Sequence, residues 1–188
     1  GVDSLTSLKP APLYKPKNAE LVTPCTYDND IEKIAEVDWV LEAVVERLDI
    51  KEQVYNNLLP HLKDTAILTS NTSGIPLTDL TSSLPDDVKQ RFMITHFFNP
   101  PRYMQLLELV RGEQTSDETY KTMVEFGESV LGKGIVHAKD TPNFIGNRIG
   151  VYGMMATMNL AIKQGFTIEE IDKLTGTISG RPKSATFR

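Results

Sequence analysis

An α/β architecture, with a largely parallel sheet covered on both faces and then an all-helical segment, is the fold class this sequence predicts. Three observations carry the prediction. Short apolar runs recur through the first 140 residues, among them Ala66–Thr69, Arg91–Phe98 and Leu106–Val110. Stretches of helical period lie between several of them, and strands that alternate with helices read as a sheet with substantial parallel character. After Asp140-Thr141-Pro142 the strand signals stop and one long helical pattern begins.

The elements follow in order. Residues 1 to about 24 carry Pro10, Pro12, Pro16 and Pro24 with Lys9, Lys15 and Lys17. Prolines at that density oppose regular structure, so this segment is expected to be an arm or lid. Asp38–Val45 reads as a buried strand. Asp49-x-x-Glu52 approximates a capping box for a helix from Ile50 to about Leu62. Ala66–Thr69 is a second strand, Pro76–Leu84 a short helix, Arg91–Phe98 a third strand and Leu106–Val110 a fourth. Asp117–Leu131 is an amphipathic helix and Ile135–Lys139 a last short strand. Beyond residue 140 a helix is predicted over Asn143–Lys163. Gly146, Gly150 and Gly153 lie close to one face of it, which predicts close approach of another helix. Thr167-x-x-Glu170 is a capping box opening a helix over Ile168–Leu174. The expected domains are residues 1–140 and residues 141–188, the second being the start of a helical domain cut short.

The bulk composition narrows the functional classes. With 188 residues, 40% hydrophobic and 24% charged, the chain reads as globular. A net charge of -5 argues against nucleic-acid binding, and an anionic substrate would need a local basic patch. The single Cys25 excludes an internal disulfide and suits a reducing compartment. No apolar run reaches the length of a membrane span, and the start GVDSLTSLKP lacks the core of a signal peptide. A cytoplasmic setting, or an organelle matrix, is expected.

Two places carry candidate chemistry. Ser70-Asn71-Thr72-Ser73-Gly74 leaves the second strand at its carboxyl end, the edge at which open α/β sheets bind ligands. The same residue types also make plain turns. His96 stands near the end of the third strand, and a lone histidine there is more often a satisfied core residue. Glu108, however, sits on the next strand with apolar neighbours on both sides. A carboxylate in that setting is costly unless paired. A histidine partner would satisfy it, and the carboxylate would fix the imidazole tautomer for general-base work. Ser73 and Asn147 are further polar residues at element ends, where they could converge on such a pair.

Four motifs then resemble one family in their order and spacing. Ser70-Asn-Thr-Ser-Gly74, His96-Phe-Phe-Asn-Pro100, Leu107-Glu108 and Asp140-Thr-Pro-Asn-Phe-Ile-Gly-Asn-Arg148 are similar to those of the 3-hydroxyacyl-CoA dehydrogenases. Leu41-Glu-Ala-Val-Val-Glu46 with Lys51 resembles theirs as well, and the likeness covers about residues 20–188. The tail Gly180–Arg188 looks most like a bacterial long-chain branch. The resemblance implies a Rossmann-type NAD-binding domain, NAD as cofactor, no metal, an acyl-CoA substrate in fatty-acid β-oxidation, and a homo-oligomer (a dimer) in the intact enzyme. It implies His96 as general base, Glu108 as the residue orienting it, and Ser73 beside the reacting oxygen and the nicotinamide ribose. Asn147 would complete the polar set, and Glu46, Lys51 and Asn99 would contact NAD. An exposed charge pair is the alternative for Glu46 and Lys51.

The sequence also departs from that pattern. The phosphate-cradling G-x-G-x-x-G is expected before residue 1 and is absent from these residues. Asn143 stands where many relatives have glycine. A partial dinucleotide-binding domain is therefore expected, with two other readings open: a non-catalytic remnant serving as a binding or assembly module, and a dehydrogenase of a small 3-hydroxy acid.

Overall fold

The computed structural model describes residues 2–180 and 185–187, so most of the tail motif Gly180–Arg188 lies outside the described residues. The chain forms two compact units, residues 1–144 and 145–188.

In the first unit, five strands form one sheet in the order β1-β2-β3-β4-β5. Residues 2–36 precede the sheet with two 3-10 turns, Val2–Thr6 and Pro16–Leu21, then the one-turn helix α1 (Tyr27–Asp30) and a third 3-10 turn. The expectation that the proline-rich arm lacks regular structure is thus corrected to short 3-10 turns, a form that needs few consecutive amide donors. Ala11 O of the arm accepts from Arg102 Nη1 at 2.6 Å and from Tyr103 Oη at 3.0 Å.

β1 (Trp39–Glu42) leads to α2 (Leu48–Leu58), and β2 (Ile67–Ser70) leads to two short helices, α3 (Leu77–Leu80) and α4 (Asp86–Gln90). β3 (Phe92–Phe97), β4 (Leu106–Arg111), α5 (Asp117–Ser129) and β5 (Gly134–Ala138) complete the unit. The pairs β1–β2, β2–β3 and β4–β5 are parallel, and β3–β4 is antiparallel. Alternate strand residues point to opposite faces. Leu68, Phe92, Ile94 and Val110 join Tyr55, Leu77, Leu80 and Val88 on one side, where α2 to α4 pack. Met93, Leu107 and Leu109 join Met123 of α5 on the other.

Two local readings of the sequence are corrected here. Asp49 does not cap α2. Arg47 is the N-cap residue and Asp49 lies in the first turn, bound to the Arg47 guanidinium. The single helix read over Pro76–Leu84 is only the one turn of α3, and a separate helix, α4, starts after Pro85. Asp140 supplies the missing cap from a distance: its carboxylate accepts from Leu77 N at 2.9 Å and Thr78 N at 3.3 Å.

In the second unit, α6 runs over Gly146–Gln164 and stops at Gly165, whose φ of 72° is the left-handed cap glycine tolerates. The helix does not begin at Asn143, because Asn143 and Phe144 have φ of 63° and 46°. That left-handed conformation suits glycine or asparagine, which accounts for the residue type at 143. α7 (Ile168–Thr175) opens on the complete capping box of Thr167 and Glu170. A Cβ built at Gly150 or Gly153 meets nothing within 4 Å, so the helix expected against these glycines is not found among the described residues. None of the described helices is long and apolar enough to cross a membrane.

Candidate active site

Three parallel strands end at one edge of the sheet. Glu42 closes β1, Ser70 closes β2, and His96 and Phe97 close β3. Polar side chains gather there, and they form two connected groups.

The first group is a histidine–carboxylate pair. The antiparallel register sets His96 opposite Glu108. Residues directly opposite on adjacent strands project to the same face with Cβ atoms about 5 Å apart, so the side chains meet. His96 Nδ1 lies 2.7 Å from Glu108 Oε2, with the histidine 5% and the glutamate 0% exposed. With Glu108 ionised and His96 neutral, the proton between them belongs to Nδ1 and the lone pair of the imidazole is on Nε2. Nε2 takes no hydrogen bond from the described residues. Phe98 and Phe144 flank the ring at centroid distances of 4.6 Å and 5.5 Å. Apolar walls of this kind limit water around the imidazole and strengthen its bond to Glu108.

The second group holds the loop Asn71–Ile75. Glu46 Oε1 accepts from Thr72 Oγ1 at 2.5 Å, Ser73 N at 2.9 Å and Gly74 N at 3.0 Å. Thr72 Oγ1 in turn accepts from Ile75 N at 3.1 Å. Burial alone would raise the Glu46 carboxyl, but these donors and the nearby Lys51 ammonium outweigh it and hold it below the ordinary carboxylate value. Behind the loop, Lys51 is 1% exposed and Glu42 3% exposed. Lys51 Nζ lies 2.8 Å and 3.0 Å from the two Glu42 oxygens and 3.4 Å from Glu46 Oε2. The reading of Glu46 and Lys51 as an exposed pair is therefore corrected: Lys51 is buried between two carboxylates. Tyr55 and Ser70 complete the set around Glu42, and the Tyr55 hydroxyl is pushed up by burial and then by the Glu42 charge. A buried charge left without its partner costs about 3–5 kcal/mol, which is why all these groups are paired.

A backbone-to-side-chain bond links the two groups. Phe97 N, beside His96, donates to Asn71 Oδ1 at 2.9 Å. The fold thus brings His96, Glu108, Ser73, Glu46 and Lys51 to one edge. Asn99 is exposed in the turn after β3, outside both hydrogen-bonded groups, and Asn147 lies half-buried in the first turn of α6 in the second unit. Glu42, Asn71 and Thr72 are site residues that the motif reading passed over. The signal for Glu42 was present: like Glu108, it is a carboxylate in an apolar strand.

An open, mostly parallel sheet with polar side chains at the carboxyl ends of its strands defines a Rossmann-type nucleotide-binding domain. Residues 4–141 match the family model described as 3-hydroxyacyl-CoA dehydrogenase, NAD binding domain. This chain belongs to the 3-hydroxyacyl-CoA dehydrogenase family. A probable 3-hydroxyacyl-CoA dehydrogenase of Bacillus subtilis is 48% identical over 98% of this chain and 23% of its own length. A putative fatty acid oxidation complex trifunctional enzyme of Rickettsia felis is 42% identical over 98% of this chain and 26% of its own. The crystal structure of 3-hydroxybutyryl-CoA dehydrogenase from Escherichia coli is 28% identical with a TM-score of 0.78, covering 92% of this chain and 37% of that one. The chain spans 23% to 54% of the length of the first curated relatives it matches.

Proposed function

We propose that this chain is the NAD-binding and acid–base part of an oxidoreductase that interconverts (S)-3-hydroxyacyl-CoA and 3-ketoacyl-CoA in fatty-acid β-oxidation. The observation that carries the reading is the buried His96–Glu108 pair, with Nε2 bonded to none of the described residues, at the strand edge beside the Ser70–Gly74 loop.

The loop's chemistry fits the nicotinamide and ribose end of NAD better than its phosphates. The amides of Thr72, Ser73, Gly74 and Ile75 already donate to side-chain oxygens, so none is left to cradle a phosphate. The Ser73 hydroxyl takes no part in the loop's hydrogen bonding among the described residues, which leaves it for a ligand oxygen. NAD, when bound, supplies the hydride acceptor. His96 Nε2 takes the proton of the substrate's 3-hydroxyl as general base. Glu108 keeps Nδ1 protonated and balances the charge of the imidazolium that forms. Ser73 hydrogen-bonds the reacting oxygen. Glu46, Lys51 and Asn99 serve the cofactor. The wider reading includes a homodimer acting in the cytoplasm, or in the mitochondrial matrix of a eukaryote.

The test is an assay on the protein as its gene encodes it, with NAD and either 3-hydroxybutyryl-CoA or free 3-hydroxybutyrate. Turnover of the thioester in preference to the free acid is expected. The opposite preference would favour a small hydroxy-acid dehydrogenase, and absence of saturable NAD binding would sink the enzymatic reading.

A further inference from the structure

We infer that Glu42, a residue with no contact to the proposed reacting groups, is the positioning residue that sets the shape of the Ser70–Gly74 loop and thereby the site's affinity for NAD. This rests on the NAD-dependent reading above and deepens it.

Glu42 is almost fully withdrawn from solvent. It is the last residue of β1 and accepts five hydrogen bonds: from Lys51 Nζ at 2.8 Å and 3.0 Å, Val44 N at 2.7 Å, Tyr55 Oη at 3.0 Å and Ser70 Oγ at 2.6 Å. Two lines of bonds run from it to the loop. Along one, Ser70 Oγ accepts from Thr72 N at 3.2 Å while donating to Glu42, so the carboxylate sets the rotamer that receives the Thr72 amide. Along the other, Lys51 reaches from Glu42 to Glu46 Oε2, and Glu46 Oε1 gathers Thr72 Oγ1, Ser73 N and Gly74 N. The Glu42 backbone carbonyl receives Asn71 N at 2.8 Å as well.

Each amide from Asn71 to Ile75 therefore ends on an oxygen that belongs to Glu42 or is held by Glu42 directly or through one or two further groups. Glu46 alone cannot impose this geometry, because its side chain is 41% exposed and long side chains at that exposure lose their rotamer easily. Lys51 is immobilised by burial, and it is Glu42 that fixes where the ammonium sits. A loop held from beneath is pre-organised: it has less ordering to lose when a ligand binds, and affinity rises accordingly. The same bonds reach the other group through Asn71 Oδ1 and Phe97 N, next to His96.

Two variants of the gene-encoded protein test this, Glu42→Gln and Ser70→Ala. Three readouts are used: amide hydrogen exchange without cofactor, NAD affinity by calorimetry, and the acyl-CoA KM. Glu42→Gln should raise exchange at residues 71–75 at least tenfold relative to β3 and β4. It should weaken NAD at least tenfold and leave the acyl-CoA KM within about threefold. Ser70→Ala keeps both buried charges and removes the Glu42-to-Thr72 link, so it should fold normally, raise exchange at Thr72 and weaken NAD several-fold. Should Glu42→Gln fail to fold, Ser70→Ala decides alone. Wild-type loop exchange and NAD affinity in a folded variant would overturn the inference while leaving the dehydrogenase reading intact. Wild-type protein that binds no NAD would instead overturn that reading, and loop exchange alone would then judge the role of Glu42.

Discussion

His96 on β3 and Glu108 on β4 are direct cross-strand partners whose side chains meet at 2.7 Å in a nearly solvent-free setting. The pair could not form if β4 ran parallel in another register, since a one-residue slip would send Glu108 to the α5 face of the sheet. The antiparallel turn between β3 and β4 is thus the feature of the fold on which the proposed chemistry depends.

His96→Gln should lower turnover by about two to four orders of magnitude, the span usual for loss of a general base. NAD affinity should be close to wild type, because no bond of the loop network ends on His96. Steady-state kinetics of the gene-encoded enzyme check this. Turnover within a few-fold of wild type would remove His96 from the mechanism.

Glu108→Gln should also slow turnover, by at least about tenfold, with NAD affinity unchanged. An amide can donate as well as accept, so the Nδ1 tautomer is no longer imposed. The ring nitrogen shifts of His96 by NMR should report a mixture of tautomers where wild type shows one. A single Nδ1–H tautomer in the variant would sever the proposed link.

Glu46 gives a pH-dependent outcome. Its carboxyl is held below the ordinary 4.5 by Thr72, Ser73, Gly74 and Lys51 against the opposing effect of burial. A folded value below the unfolded one means the stabilisation is complete above about 4.5 and lost as pH falls through the folded value. The melting-temperature difference between wild type and Glu46→Gln should therefore be largest at neutral pH and close on acidification below 4.5. A difference that stays constant across that window would show that the loop does not depend on the carboxylate charge.

The 188 residues by themselves should bind NAD far more weakly than a family member that carries the G-x-G-x-x-G string, and reduce 3-ketoacyl-CoA little or not at all. Pyrophosphate binding normally draws on a glycine turn and a helix amino terminus, and the G-x-G-x-x-G string is absent from this sequence. Calorimetry on the isolated chain checks it. Tight binding would mean that the loop and the Glu46–Lys51 group suffice.

The sequence by itself determined the α/β class, the five strands and the family, because apolar runs, periodicity and short motifs are local properties of the chain. It also exposed Glu108, since a carboxylate among apolar strand residues signals a partner whatever the fold. Helix ends were legible where the capping atoms are near in sequence, as at Thr167 and Glu170. They were not legible at α3, where Asp140 arrives from the far end of the unit. Only the tertiary structure decided which residues Lys51 would meet, that Glu42 lies beneath the loop, and that the loop's amides are already bound. Those are facts about side chains brought together from different strands, and no short-range pattern encodes them. The left-handed turn at Asn143 and Phe144 belongs with them: residue type permits it, but only the course of the chain demands it.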